Sequence, residues 1–77
     1  MKLDIISPEK ILYSGEAQLV TLPGMNGSFT ILKNHAPIIS ILVKGKLVYR
    51  NKDGNHEMNV GGGFIEAKEN VISVCIE

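Results

Sequence analysis

Two stretches of the chain alternate with a period of two, one set of positions apolar and the other mixed. In Lys46–Arg50 (KLVYR), Leu47 and Tyr49 point one way while Lys46, Val48 and Arg50 point the other. In Val71–Glu77 (VISVCIE), Ile72, Val74 and Ile76 share a face opposite Val71, Ser73 and Cys75. A period of two is that of a strand with one buried face and one wet face. Ile38–Val43 (IISILV) departs from it, being apolar nearly throughout. That run suits a strand covered on both sides, or one whose outer face is kept for a partner.

Turn signals separate the apolar runs at short, regular intervals: Ser14-Gly15, Pro23-Gly24, Asn26-Gly27, Lys44-Gly45, Asp53-Gly54, Gly61 to Gly63, and Glu69-Asn70. The segment KLVYRNKDGNHEMNV reads as a hairpin with two extended arms around Asp53-Gly54, where Gly54 can take a positive φ. No window carries a helix of three turns. The best candidate, ILKNHAPIISILV, is broken by Pro37, which also drives Ala36 into an extended conformation. The pattern predicts an all-β fold, a two-sheet β-sandwich or flattened barrel of about nine to ten short strands. It forms one domain over residues 1–77, with no linker or repeat.

Composition narrows the function. A domain of 77 residues has modest intrinsic stability and often gains its margin from a disulfide, a metal or a partner. Cys75 is the only cysteine, so no internal disulfide forms, which suits a reducing compartment. No signal-peptide pattern and no long apolar span is present in the sequence. Eight basic and eight acidic residues cancel, leaving no global field to steer the chain onto nucleic acid or an anionic membrane. Shape and apolar contact are the expected means of recognition.

The candidate chemistry is sparse. His35, in KNHAPIIS, lacks a nucleophile in a strained elbow and an orienting acid, so a structural histidine at a turn is expected and no catalytic residue is assigned. Two histidines and one cysteine, far apart in sequence, do not make a metal set. Gly61 to Gly63 resemble a phosphate loop only superficially. The FIEA that follows continues as a strand, and the glycines read instead as a bend where another backbone comes close. No cofactor is assigned. Phe29, Phe64, Tyr13 and Tyr49 sit in strand contexts where core packing is the default, which argues against nucleic-acid binding. Lys52, beside Asp53-Gly54, offers the second class of function: small lipoyl or biotinyl carrier domains display a modified lysine on a hairpin turn. Its neighbours Asn51 and Asp53 do not match either carrier type.

Five stretches occur in an order that carries a resemblance: LDIISPEKILYSGE, VTLPGMNGSFTIL, NHAPIIS, GGGFIEA and NVISV. Over its whole length the chain resembles the N-terminal β-sandwich domain of the epsilon subunit of F-type ATP synthase. The family's Gly-Ile-Leu-Pro-x-His-Ala-Pro loop is matched at Ile31, Leu32, His35, Ala36 and Pro37, with Thr30 and Lys33 in place of the Gly and the first Pro. The resemblance implies a non-catalytic central-stalk subunit that turns with gamma and the c-ring and couples ion flow to ATP synthesis. It implies a gamma interface at His35, Ala36, Pro37, Ile38 and Ser40, and a c-ring interface at Gly24, Met25, Asn26, Gly27 and Ser28. It places the protein peripherally on the cytoplasmic face of the bacterial plasma membrane, touching the membrane only through the c-ring. The helical hairpin of many family members has no counterpart in this sequence, which closes with its last strand at Glu77. Either a naturally short form or a shortened piece of a longer chain fits this, and neither hairpin-type inhibition nor ATP binding is expected of residues 1–77.

Overall fold

The computed structural model describes all 77 residues. The alternating segments become nine strands: β1 (Lys2–Ile6), β2 (Ile11–Glu16), β3 (Leu19–Gly24), β4 (Gly27–Leu32), β5 (Ile38–Leu42), β6 (Gly45–Asn51), β7 (Gly54–Val60), β8 (Gly63–Lys68) and β9 (Val71–Ile76). The expected all-β sandwich is the fold that forms. One layer has the order β2-β1-β9-β8-β5 and the other has β6 between β3 and β7, with β4 on the far edge of β3. The layers join where Gly24 of β3 meets Leu42 of β5, next to a hydrogen bond from the Val43 N–H to the Pro23 carbonyl (2.9 Å). All pairs are antiparallel except β1 with β9.

The period-two pattern sets what fills the interior. Ile5, Val74 and Ile65 lie opposite one another on adjacent strands, as do Leu3, Ile72 and Ala67. Val20 and Tyr49 face them from the second layer. These belong to one core of 15 buried side chains, none of them polar or charged except for the Tyr49 hydroxyl. The tyrosine is stacked between Tyr13 and His56, at ring separations of 4.4 and 5.0 Å. Asn51 completes that end of the core. Its Oδ1 accepts from His56 Nε2 at 3.0 Å, and its Nδ2 donates to the Tyr13 hydroxyl at 3.3 Å.

The glycines act where the turns need them. The loops Met25-Asn26 and Lys52-Asp53 are each closed by a glycine at positive φ, Gly27 at 116° and Gly54 at 114°, so each loop sits one residue earlier than the Asn-Gly and Asp-Gly pairs suggest. Gly63 has φ 143°, and a Cβ there would lie 2.9 Å from Ile76 Cα and collide with the Cys75 carbonyl oxygen. This is the close backbone approach read from the glycine run.

Candidate docking surface

The two stretches assigned to partner contact lie at opposite ends of β5. That strand begins at Ile38, just after the His35–Pro37 loop, and ends at Leu42, opposite Gly24 of the β3–β4 hairpin. The loop is braced by a reciprocal side-chain clasp. The Asn34 N–H donates to Asn70 Oδ1 (2.7 Å), and Asn70 Nδ2 donates to Asn34 Oδ1 (3.2 Å). Both residues take positive φ, 66° and 60°, a conformation asparagine tolerates better than most. His35 donates its backbone N–H to the Leu32 carbonyl (3.2 Å), and its Nδ1–H donates to the Ala36 carbonyl (2.9 Å). Its Nε2 is buried and meets no partner. With one ring nitrogen spent on backbone and the other enclosed, His35 acts as a turn residue, while Ala36 and Pro37 stand exposed beside it.

At the other end Met25, Asn26, Gly27 and Ser28 are exposed, but Gly24 is buried, with the Phe29 ring where its side chain would be. A groove of about 490 Å³ runs between this turn and Ile39, Ser40 and Ile41. Strand parity divides β5. Ser40 pairs with buried Ile65, so Ile38 and Ser40 point toward the core and are half-buried. Ile39 and Ile41 point outward, 76% and 61% exposed. The apolar run therefore has an uncovered outer face, carried by two isoleucines rather than by Ile38 and Ser40.

That outer face continues across the whole layer. Ile41 lies opposite Phe64, Phe64 opposite Cys75, Cys75 opposite Ile6 and Ile6 opposite Ile11. The result is one transverse apolar row over five strands, with Phe64 52% and Ile11 67% exposed. Phe64 is thus a surface residue, where its strand context suggested the core. A groove of about 590 Å³ lies along the row, lined by Ile6, Pro8, Ile41, Phe64, Cys75 and Ile76. It shares Ile41 with the groove beside the β3–β4 turn. The outer face of the other layer is polar by comparison: Thr30, Thr21, Val48 and Glu57 share a row, with the two threonine hydroxyls bonded at 2.9 Å.

The remaining polar features do not assemble into a reaction centre. The largest hollow, about 670 Å³, lies at the Lys52 end and mixes Lys33 and Lys52 with Glu16 and Asp53. Lys52 is exposed at the hairpin tip, where the Asp53 N–H donates to Asn51 Oδ1 at 2.9 Å. Asp4 holds its carboxyl below the usual range, chiefly through the Ser14 hydroxyl at 2.6 Å and then through Lys2 at 3.3 Å. Burial, and secondarily the Tyr13 phenol, raises Tyr49 above the ordinary phenol range. Gly61 to Gly63 lead into β8, not into a helix, and so do not present the helix N-terminus that a phosphate loop uses.

Fold and surface together define a small β-sandwich whose distinguishing feature is an apolar outer face. Residues 1–77 match the family described as ATP synthase, Delta/Epsilon chain, beta-sandwich domain, and the chain belongs to that family. It is 45% identical over 77 residues to the ATP synthase epsilon chain of Leptospira borgpetersenii serovar Hardjo-bovis (strain JB197), an alignment covering all of this chain and 61% of that one. The epsilon chain of Chlorobaculum tepidum is 41% identical over 69 residues, covering 88% of this chain and 78% of that one. The chain thus spans about 61% of the length of the Leptospira relative. Among solved structures, it superposes on a chain of the Euglena gracilis mitochondrial ATP synthase (OSCP/F1/c-ring, rotational state 1) with a TM-score of 0.88 at 18% identity, over 96% of this chain and 48% of that one. The Tetrahymena thermophila mitochondrial ATP synthase central stalk/c-ring gives 0.83 at 18% identity, over 99% and 62%. At that identity the likeness establishes the fold.

Proposed function

We propose that this chain is a non-catalytic rotor element of an F-type ATP synthase. It docks on the gamma subunit and the c-ring and so helps couple ion translocation to ATP synthesis. The observation that carries this reading is the continuous row of exposed apolar side chains across one outer face, with exposed Ile39 beside it and Met25 on the adjoining β3–β4 turn. A surface of that kind is what a protein keeps for a permanent neighbour. Membership of the family, and the central stalk/c-ring complex to which a structural neighbour belongs, support the choice of neighbour. The site is peripheral, on the cytoplasmic face of a bacterial plasma membrane, and no helix is long and apolar enough to cross that membrane.

Within this reading the His35–Pro37 loop and the Met25–Ser28 turn contact different partners, because β5 separates them. The loop, with Ile38 and Ser40 behind it, belongs to the gamma side and the turn to the c-ring side. Recovery of the tagged chain from its native membranes tests the proposal. Gamma and the c-ring should co-purify with it, and intact mass should show an unmodified Lys52. A lipoyl or biotinyl mass increment on Lys52, with acyltransferase or carboxylase partners, would replace the rotor reading with the carrier one.

A further inference from the structure

The fold treats one of the chain's six asparagines differently from the rest. A side-chain amide is lost when the backbone nitrogen of the following residue attacks it. Two features decide which asparagine is at risk: the freedom of its amide and the bulk of its successor. Asn34 and Asn70 hold each other (3.2 Å). Asn51 Oδ1 accepts from His56 (3.0 Å) and from the Asp53 N–H (2.9 Å), and Asn55 Oδ1 accepts from Arg50 Nε (3.1 Å). Only the amides of Asn26 and Asn59 remain free. Asn59 lies within β7 and is followed by Val60, branched and buried. Asn26 is exposed at the tip of the β3–β4 turn and is followed by Gly27.

Gly27 removes the obstacles at the attacking end. It has no side chain to screen its nitrogen, and a Cβ built there would meet nothing within 4 Å. Its φ of 116° belongs to a residue free to swing as a ring closes. The nitrogen lies in the pair that closes the hairpin, opposite Gly24, so attack proceeds through local opening of the tip. Little opposes that opening. The nearest bond from outside the hairpin reaches the Pro23 carbonyl, from the Val43 N–H, and the first side-chain hydrogen bond along it joins Thr21 and Thr30.

The Asp53-Gly54 loop is the internal comparison. It has the same length and a glycine at nearly the same φ, 114°, but its tip is tied down. Asn51 Oδ1 holds the Asp53 N–H, and Asn51 is itself held by His56 and Tyr13. It also offers a carboxylate, which yields to nucleophiles far less readily than a carboxamide.

We propose that Asn26 is a spontaneous modification site, with water as co-reactant and a succinimide as intermediate. Solvent base takes the Gly27 amide proton, and the nitrogen attacks Asn26 Cγ. The N–Cγ bond forms, the Cγ–Nδ2 bond breaks, and the amide leaves as ammonia with a proton from water. Water then adds to either carbonyl of the imide ring, which opens to aspartate or isoaspartate. One water is consumed and one ammonia released, with no change of oxidation state. Either product puts a negative charge on Pro23–Ser28, a stretch that has none. Isoaspartate also adds a backbone carbon to a two-residue loop.

Resting on the rotor reading above, which gives this turn to the c-ring side, the site separates free chains from assembled ones. A turn pressed against a partner opens less, so the amide survives in the complex and is lost in chains left outside it. Charge on a neutral contact weakens it, so an aged chain assembles less well.

Peptide mapping tests both steps. The purified chain, held in mildly alkaline buffer at growth temperature, should gain about 1 Da on the peptide containing Asn26. That gain should run on the order of tenfold or more ahead of the gain at Asn59. Asn26→Gln, whose longer side chain closes a ring poorly, should abolish it. In the purified native complex the gain at Asn26 should be slower than in the free chain by on the order of fivefold or more. Asn26→Asp should reduce the c-ring recovered with a tagged chain and leave gamma recovery within about twofold. Equal rates at Asn26 and Asn59 would overturn the site and leave the rotor reading untouched. Equal rates at Asn26 in the free and complexed chain would overturn the assembly mark, as would undiminished c-ring recovery by Asn26→Asp, while co-purification of gamma upholds the rotor reading. A chain that recovers neither gamma nor the c-ring would overturn the rotor reading, and the chemical site would then be decided by the free-chain rates.

Discussion

A Cβ added at Gly63 would meet the backbone of Cys75 and Ile76, neither of which can move without breaking the β8–β9 ladder. The same addition at Gly61 meets nothing within 4 Å. Gly63→Ala should therefore destabilise the chain by about 2–4 kcal/mol, against under about 0.5 kcal/mol for Gly61→Ala, read as the shift of the urea midpoint. The other residue-scale test concerns acid. Asp4 has a folded pKa below its usual value, so its contribution is fully present above the unfolded pKa and is lost as pH falls through the lowered one. Ser14→Ala removes the first cause of that depression and should bring the Asp4 titration, followed by NMR, back up toward 3.8. Because Asp4 is solvent-accessible, the stability that Ser14→Ala removes should be slight, present above about pH 4 and vanishing as pH falls through the lowered pKa. At this scale the sequence was a good guide to His35, whose Ala-Pro neighbours and lack of a partner acid marked it as a turn residue. It misled on Phe64. An aromatic residue in a strand is normally core, and only its parity against buried Ile65 shows otherwise.

Single elements were legible mostly where glycine, proline or asparagine punctuated them. The loops at Asn26-Gly27 and Asp53-Gly54 fell within one residue of the expected positions, but Ser14-Gly15 lies inside β2, paired with Asp4 and Leu3, and the β1–β2 turn forms instead at Ser7–Lys10. The ambiguity of Ile38–Val43 could not be resolved from its own composition, because which alternate residues are buried depends on the register with β8. The clasp between Asn34 and Asn70 was equally hidden, since it joins residues 36 positions apart. It ties the His35 loop to the β8–β9 turn and gives that turn a separable test. Asn70→Gly keeps the positive φ and deletes only the side-chain bonds. It should cost about 1 kcal/mol and speed hydrogen exchange at the Asn34 amide. Asn70→Ala also forces an unfavourable backbone and should cost about 1 kcal/mol more. Equal stabilities of the two variants would show that the turn conformation contributes nothing beyond the clasp.

At the scale of the whole molecule, the first and last strands pair in parallel in the middle of one layer, with Leu3 opposite Ile72 and Ile5 opposite Val74. The transverse apolar row depends on that pairing. Its members come from residues 6, 11, 41, 64 and 75, and no local window contains enough of them to reveal it. Closing contacts between the chain's extremities is entropically costly, so folding belongs among the slower two-state domains. The same topology makes β9 indispensable. It contributes Ile72, Val74 and Ile76 to the core, and burying each is worth roughly 1.5–3 kcal/mol. A domain of this length has only about 4–12 kcal/mol of net stability. A chain ended after Asn70 should therefore lose cooperative unfolding and the dispersed amide spectrum of a native sheet, because β1 and β8 would each lose their shared neighbour. A synthetic peptide of Val71–Glu77 added in trans should restore both signals if the pairing itself is what the truncation removes. A cooperative transition in the shortened chain without peptide would mean that the second layer and the β1–β2 hairpin hold the sandwich together alone, and the core would have to be redrawn around β3 and β6.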